Sequence, residues 1–241
     1  MKDYSIITVT LNSGKTLQRT INSVFSQSYL PSEYIFIDGG SIDNTLDIIN
    51  STEFTGRKIK LILDSQKEKT GIFGAINQGL KLANGDIIFI LHGDDWLEPD
   101  AAKTVLAKFA EEPDCEVVLS SAFIHDLSGK MIVKHQRSFV LFPFLMPVIH
   151  PGAFVRRSTY EKYGFYDENY RISSDYDFFY RLYKAKAKFC EIRKPLVNVQ
   201  LGGYANTHRA IARKETLLIG IRHCRIAILP IASYLAFFKK E

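Results

Sequence analysis

Apolar and polar positions follow two different periods along the first half of the chain. Residues 5–11 form a short apolar, β-branched run, typical of a strand buried on both faces, which stops at Asn12-Ser13-Gly14. Leu17, Ile21, Val24 and Phe25 then recur at i, i+4, i+7 and i+8, one stripe of a helix. Residues 34–37 read as a second strand, closed by Asp38-Gly39-Gly40-Ser41, and residues 45–49 begin a second, shorter helix. A third strand is expected over 59–63, a third helix over 75–83, and a fourth strand over 86–91. Pro99 is placed at the first position of a helix running through Ala110, and 116–120 supply a fifth strand.

This alternation, with short connections, predicts an α/β fold: right-handed crossovers, a mainly parallel sheet and helices on both faces. Ligands of such sheets bind beyond the carboxyl ends of the strands. Here those ends are Thr10-Leu11-Asn12, Asp38-Gly39-Gly40-Ser41 and His92-Gly93-Asp94-Asp95, where polar residues gather. After residue 120 the rhythm breaks. Residues 138–151 are apolar but carry Pro143, Pro147 and Pro151, which exclude a long helix and predict a packed irregular connection or a lid. Helical patterns return over 156–163 and 175–185, followed by a strand over 188–192. The chain thus divides into an α/β half (1–120), a second half of the same domain (121–205) and a basic, apolar tail (206–241).

Composition adds limits. With 46% hydrophobic and 24% charged residues among 241, the chain has the make-up of an ordinary globular protein. Cys115, Cys190 and Cys224 form no CxxC pair and no zinc spacing, which fits a reduced, cytoplasmic compartment. The N-terminus lacks the layout of a signal peptide. No stretch reaches the roughly 18 to 20 apolar residues that span a bilayer. Charge is uneven: residues 1–180 hold 18 Lys+Arg against 23 Asp+Glu, and 181–241 hold 13 against 3. A basic end suits an anionic partner such as a membrane surface, a diphosphate-linked lipid or nucleic acid, and equally a solvated basic helix.

Three acidic features could carry chemistry. Asp94 and Asp95 are adjacent carboxylates at a strand end, repelling by roughly 2 to 3 kcal/mol at about 6 Å and an effective dielectric of 20. A divalent cation would relieve that repulsion; a turn or capping pair before Trp96-Leu97-Glu98-Pro99 fits the same residues. In Asp38-Gly39-Gly40-Ser41-Ile42-Asp43 the glycines permit close approach of a ligand, or simply a tight strand-to-helix turn. Ser173 or Ser174 would cap a helix with Asp175 in its first turn, where the dipole favours a carboxylate and where a general base could also stand. There is no GxGxxG, no Walker A lysine and no GxSxG elbow, and the six histidines form no zinc pattern. His92 and His150 are noted for their neighbours only.

Taken together, residues 6–12, 34–43, 71–72, 75–79, 83–96, 150–157 and 174–178 resemble, in order and spacing, the inverting glycosyltransferases of family 2, which have the GT-A nucleotide-sugar-binding fold. The subgroup they look most like assembles bacterial surface polysaccharides. The resemblance implies a nucleoside-diphosphate sugar donor, a glycan or lipid-linked acceptor, and Mn²⁺ or Mg²⁺ held by Asp95. It implies that Thr10 and Asp38 hold the nucleotide base, with Asn12 and Gly40 in the same donor-binding set and Asp94 near the ribose. It implies that Asp175 is the catalytic base. The sequence departs from the family where an acidic residue and Tyr-Asp are usual: Lys69 stands before Gly71, and Phe73-Gly74 follow Ile72. Those departures would fit a catalytically weak sugar-nucleotide-binding subunit acting with a partner. A nucleotidyltransferase would need a basic phosphate-gripping loop near the first strand, where only Lys15 lies. Residues 217–241 are expected to form either an amphipathic interfacial segment on an anionic membrane or a helix packed on the protein. A homo-oligomer is a further expectation; nucleic acid is not an expected partner.

Overall fold

The computed structural model describes residues 3–52, 60–65, 71–202 and 207–224. The chain runs β1 (Tyr4–Thr10), α1 (Leu17–Phe25), β2 (Glu33–Asp38), α2 (Thr45–Ser51), β3 (Lys60–Ser65), α3 (Gly71–Leu82), β4 (Ile87–Ile90), β5 (Trp96–Leu97), α4 (Ala101–Glu111) and β6 (Val117–His125). It continues through β7 (Met131–Lys134), β8 (Ala153–Arg156), α5 (Arg157–Tyr163), α6 (Ser174–Lys184), β9 (Phe189–Gln200) and α7 (Arg209–His223). The described strands form one sheet in the order β3-β2-β1-β4-β8-β6-β9-β5, with β7 alongside β6.

Each central strand is buried on both sides, and successive residues feed two separate cores. Ile6, Tyr34, Phe36, Ile87 and Phe89 join α1 and α4 on one face. Ile7, Ile35, Ile37, Ile88 and Ile90 join α3, α5 and α6 on the other. This two-faced burial is why these strands read as continuous apolar runs rather than as alternating ones.

The parallel sheet holds for β3-β2-β1-β4. Beyond β4 it becomes mixed, because β8 inserts between β4 and β6, antiparallel to both. β6 then pairs β9 in parallel and β7 as an antiparallel hairpin. Other expectations shift for local reasons. The helix expected from Pro99 begins at Ala101, because Glu98 N–H still bonds Leu196 C=O and Asp100, at φ +59°, makes the turn. The strand expected over 188–192 runs on to Gln200 across a register shift near Pro195, a residue that normally argues against a central strand. The proline-rich stretch is an irregular connection with two short 3₁₀ turns, in which Phe142 is buried and its carbonyl accepts the Tyr176 hydroxyl of α6.

α7 packs on α6, burying Ile219 and Gly220, so residues 209–223 behave as a helix docked on the domain. Residues 225–241, Lys69 and the start of the third strand at Ile59 lie outside the described residues. Among the described residues no helix is long and apolar enough to cross a membrane.

Candidate active site

Because β1 lies between β2 and β4, the loops after these three strands stand side by side at the carboxyl end of the sheet. The loop after β2 is organised by Asp38, which is only 3% exposed. Its carboxylate accepts the Thr10 hydroxyl (3.0 Å), the Gly40 and Ser41 N–H groups (2.9 and 2.8 Å) and the Ser41 hydroxyl (2.6 Å). Gly40 has φ +95° with open space where a side chain would start, a conformation that favours glycine. Asn12, itself left-handed at φ +53°, ties the neighbouring loop: its N–H donates to the Ser41 hydroxyl and its side-chain oxygen accepts the Ile42 N–H. Thr10, Asn12, Asp38 and Gly40 thus form one cross-linked pair of loops. Asp38 acts within it by shaping the turn, since its lone pairs are engaged by the protein itself.

The loop after β4 is fastened to α1. Thr16 donates to Gly93 C=O (2.7 Å), Arg19 to Asp94 C=O (3.1 Å) and Thr20 to Asp95 C=O (2.7 Å). Gly93 lies so close to Ser13 that an added Cβ would sit 2.9 Å from its hydroxyl, joining this loop to the one after β1. Arg19 also stacks on Trp96, 3.5 Å from the ring centroid. Burial lowers its pKa, and Asp95 and Asp94 oppose that shift. The sequence offered no signal for Arg19 beyond its place early in α1.

Asp94 and Asp95 have different surroundings. Asp94 is half-buried, while Asp95 is 2% exposed. Among the described residues the hydrogen-bond donor to the Asp95 side chain is the Gln200 N–H at the end of β9 (3.1 Å). Burial first, then Asp94 beside it, push the Asp95 carboxyl well above the usual carboxylate range. One N–H leaves most of a carboxylate's acceptor capacity unused. Two consecutive carboxylates of this kind fit an oxygen-preferring divalent cation, which takes one or two carboxylates and completes its shell with phosphate and water. Among the described residues there is no ready-made cluster of three or more His, Cys, Asp or Glu side chains.

Asp175 sits in the first turn of α6, half-buried. The expected serine cap is not made: Ser173 Oγ donates to Ala212 C=O, and Asp175 itself accepts the Tyr176 N–H (2.8 Å). Burial pushes its pKa up to about 6, with Glu215 of α7 adding to the rise and the Tyr176 N–H opposing it. Side chains bridge the space between the Asp94-Asp95 loop and α6. The rings of His92 and His150 lie 5.8 Å apart, and His150 Nε2 is 3.0 Å from the Tyr166 hydroxyl, whose own ionisation Asp175 disfavours. Burial, aided by His92, lowers the His150 pKa to about 3, so the ring is neutral. His92 Nδ1 is a buried polar atom with no hydrogen-bond partner among the described residues. The two histidines singled out only for their neighbours therefore stand together between the loop after β4 and Tyr166. Phe73, one of the departures from the family pattern, is a core residue packed on Tyr166, with ring centroids 5.3 Å apart.

The arrangement is that of two cross-linked loops, an acidic pair of which Asp95 is buried, and a separate carboxylate of raised pKa. The family model described as "Glycosyl transferase family 2" matches residues 5–188. The chain is similar to the "PGL/p-HBAD biosynthesis glycosyltransferase" of Mycobacterium tuberculosis, with 29% identity over 89% of this chain and 82% of the relative. It is also similar to the "Amylovoran biosynthesis glycosyltransferase AmsB" of Erwinia amylovora, with 24% identity over 90% and 77%. In fold it matches TarS of S. aureus, with TM-score 0.71 and 18% identity over 97% of this chain; the chain spans 43% of that structure's length. TarS residues 1–349 have also been solved in complex with UDP-GlcNAc, with TM-score 0.70 and 17% identity over 98% and 71%.

Proposed function

The chain belongs to glycosyl transferase family 2, and from that premise we propose that it transfers a sugar, with inversion, from a nucleoside-diphosphate sugar to a hydroxyl of a glycan or lipid-linked acceptor in surface-polysaccharide assembly. The observation that carries this is the division of labour between two carboxylates: Asp95, buried and barely partnered at the end of β4, and Asp175, of raised pKa on α6. Exposed Leu11 and Ile42, on the loops tied together by Asn12 and Ser41, offer apolar surface to the face of a nucleobase.

Thr10, Asn12, Asp38 and Gly40 hold the rim on which the base and ribose rest, with Asp94 on the ribose side. Asp95 would hold Mn²⁺ or Mg²⁺, which when bound would supply positive charge beside the leaving diphosphate. Asp175 takes the proton of the acceptor hydroxyl as that oxygen's lone pair forms the new bond to the anomeric carbon. The bond from that carbon to the phosphate oxygen breaks in the same step, and its electron pair leaves with the nucleoside diphosphate. A single in-line displacement of this kind inverts the anomeric centre. The weak-subunit alternative rests on Lys69 and Gly74, and Phe73 beside them has an ordinary role in the core.

The direct test is donor binding. TarS has been crystallised with UDP-GlcNAc, so UDP-sugars head a panel of nucleotide sugars scanned for thermal stabilisation with Mn²⁺. One or more should raise the melting temperature in a concentration-dependent manner and be slowly hydrolysed by water. A panel with no stabilising member would rule the proposal out.

The pH dependence follows from Asp175. A base works ionised, so kcat/KM should fall about tenfold per unit below pH 6 and level off above it. Its acid limb should lie near pH 6, where the free protein holds the Asp175 pKa, rather than near the ordinary value of about 4. An acid limb at pH 4 would show that the base of the reaction carries an unraised pKa.

A further inference from the structure

Glu215 lies in the middle of α7, is 8% exposed, and turns its carboxylate toward the segment that leads into α6. Oε1 accepts the Arg171 N–H at 2.8 Å, and Oε2 accepts the Ile172 and Ser173 N–H groups, both at 2.9 Å. Three consecutive main-chain donors converging on one side chain form an anion-binding concavity, and charge-assisted bonds of this kind are short and strong. The segment is otherwise irregular. Its last residue, Ser173, occupies the position before α6 without a side-chain cap, and Asp175 follows two residues later. Glu215 therefore fixes, from another helix, the backbone that leads into α6.

We propose that Glu215 is a positioning residue for the catalytic base: by clamping residues 171–173 it fixes the backbone that presents Asp175, so that α7 contributes to transfer without touching either substrate. The proposal rests on Asp175 being the base. α7 is also tied down at a second point, where His223 Nε2 meets Asp177 Oδ1 of α6 at 2.7 Å and Arg222 reaches Asp167, in the loop before α6, at 3.1 Å. That contact docks the helix but leaves residues 171–173 alone, which makes it a control. The charged and titratable groups around Asp175 are Glu215 from α7 and Tyr166 from the loop before α6. Asp177, Arg181, Arg222 and His223 form their own network along α6.

Two readouts need no substrate. In the full chain, amide hydrogen exchange at Arg171, Ile172 and Ser173 is measured beside the Asp175 side-chain carboxyl titration by ¹³C NMR, assigned with Asp175→Asn. Glu215→Gln keeps the shape but loses the charge and one acceptor oxygen. It should speed exchange at the three amides by about tenfold or more, and lower the Asp175 midpoint by about half to one unit as a negative charge is withdrawn. The acid limb of kcat/KM for the donor found by thermal shift should move with it, and kcat should drop about tenfold while donor KM stays within about twofold. His223→Ala should lower the melting temperature and leave the three amides and the Asp175 midpoint in place.

Unchanged exchange and an unchanged midpoint in a folded Glu215→Gln variant would overturn the proposal. If that variant does not fold, Glu215→Asp decides. It keeps the charge but shortens the reach, so the midpoint should hold while the amides lose protection, and retained protection with full kcat would overturn the proposal. If Asp175→Asn transfers at the wild-type rate, the base assignment fails instead, whatever Glu215→Gln does to the amides.

Discussion

Replacing Asp175 by Asn is expected to lower kcat for sugar transfer by about 10³-fold, within the range general base catalysis supplies, while donor KM changes little. Asn retains the shape of the side chain and an oxygen for the Tyr176 N–H, so the start of α6 has no reason to rearrange. What it loses is the capacity to take a proton. Stability should move the other way. The folded-state pKa of Asp175 is raised to about 6, so ionising it above that pH costs the native state free energy that it does not cost the unfolded chain. The penalty is absent below the unfolded pKa of about 4, grows between 4 and 6 and is complete above 6. Its ceiling is about 3 kcal/mol, reduced because the side chain still reaches water. Asp175→Asn should therefore melt higher than the wild type at pH 8 and level with it at pH 4. A variant that is inactive and more stable would mark a group kept for chemistry; an active variant would end its role as base.

The second large effect is expected at Asp95. Asp95→Asn keeps an acceptor for the Gln200 N–H but removes a buried charge that sits beside Asp94. Wild-type transfer should be lost in chelator and restored by Mn²⁺ or Mg²⁺. The variant should show at most about 10⁻³ of wild-type kcat/KM and no response to the metal, since an oxygen-ligated cation depends on its carboxylates. Binding makes the same point without turnover: donor plus Mn²⁺ should raise the wild-type melting temperature and leave that of the variant unmoved. Without ligand the order should reverse. The Asp95 carboxyl is held well above its ordinary pKa by burial, so near neutral pH the uncharged Asn should stabilise the apo protein. Full wild-type activity in chelator would remove the metal from the mechanism.

These expectations draw on features that differ in how far they were visible in the amino-acid order. The acidic pair could be found from its place after the apolar run of β4, and Asp175 from its place at the start of a helical pattern. Their difference in character could not. Asp95 is buried because β9, more than 100 residues later, closes over it through the Gln200 N–H. Asp175 is raised in pKa by packing and by Glu215, which is 40 positions away. His92, His150 and Tyr166 meet across three separate segments, and no spacing along the chain announces them.

By itself the sequence determined the alternation of strands and helices through β4, the burial of those strands on both faces, and the gathering of polar residues at their carboxyl ends. All of these follow from local period, because a strand or helix imposes its repeat on its own side chains. Only the tertiary structure decided that β8 enters between β4 and β6, that β9 continues past Pro195, and that α7 clamps the entry to α6. Those outcomes depend on which distant surfaces and unpaired main-chain groups fit one another, a property of pairs of segments that no single segment carries.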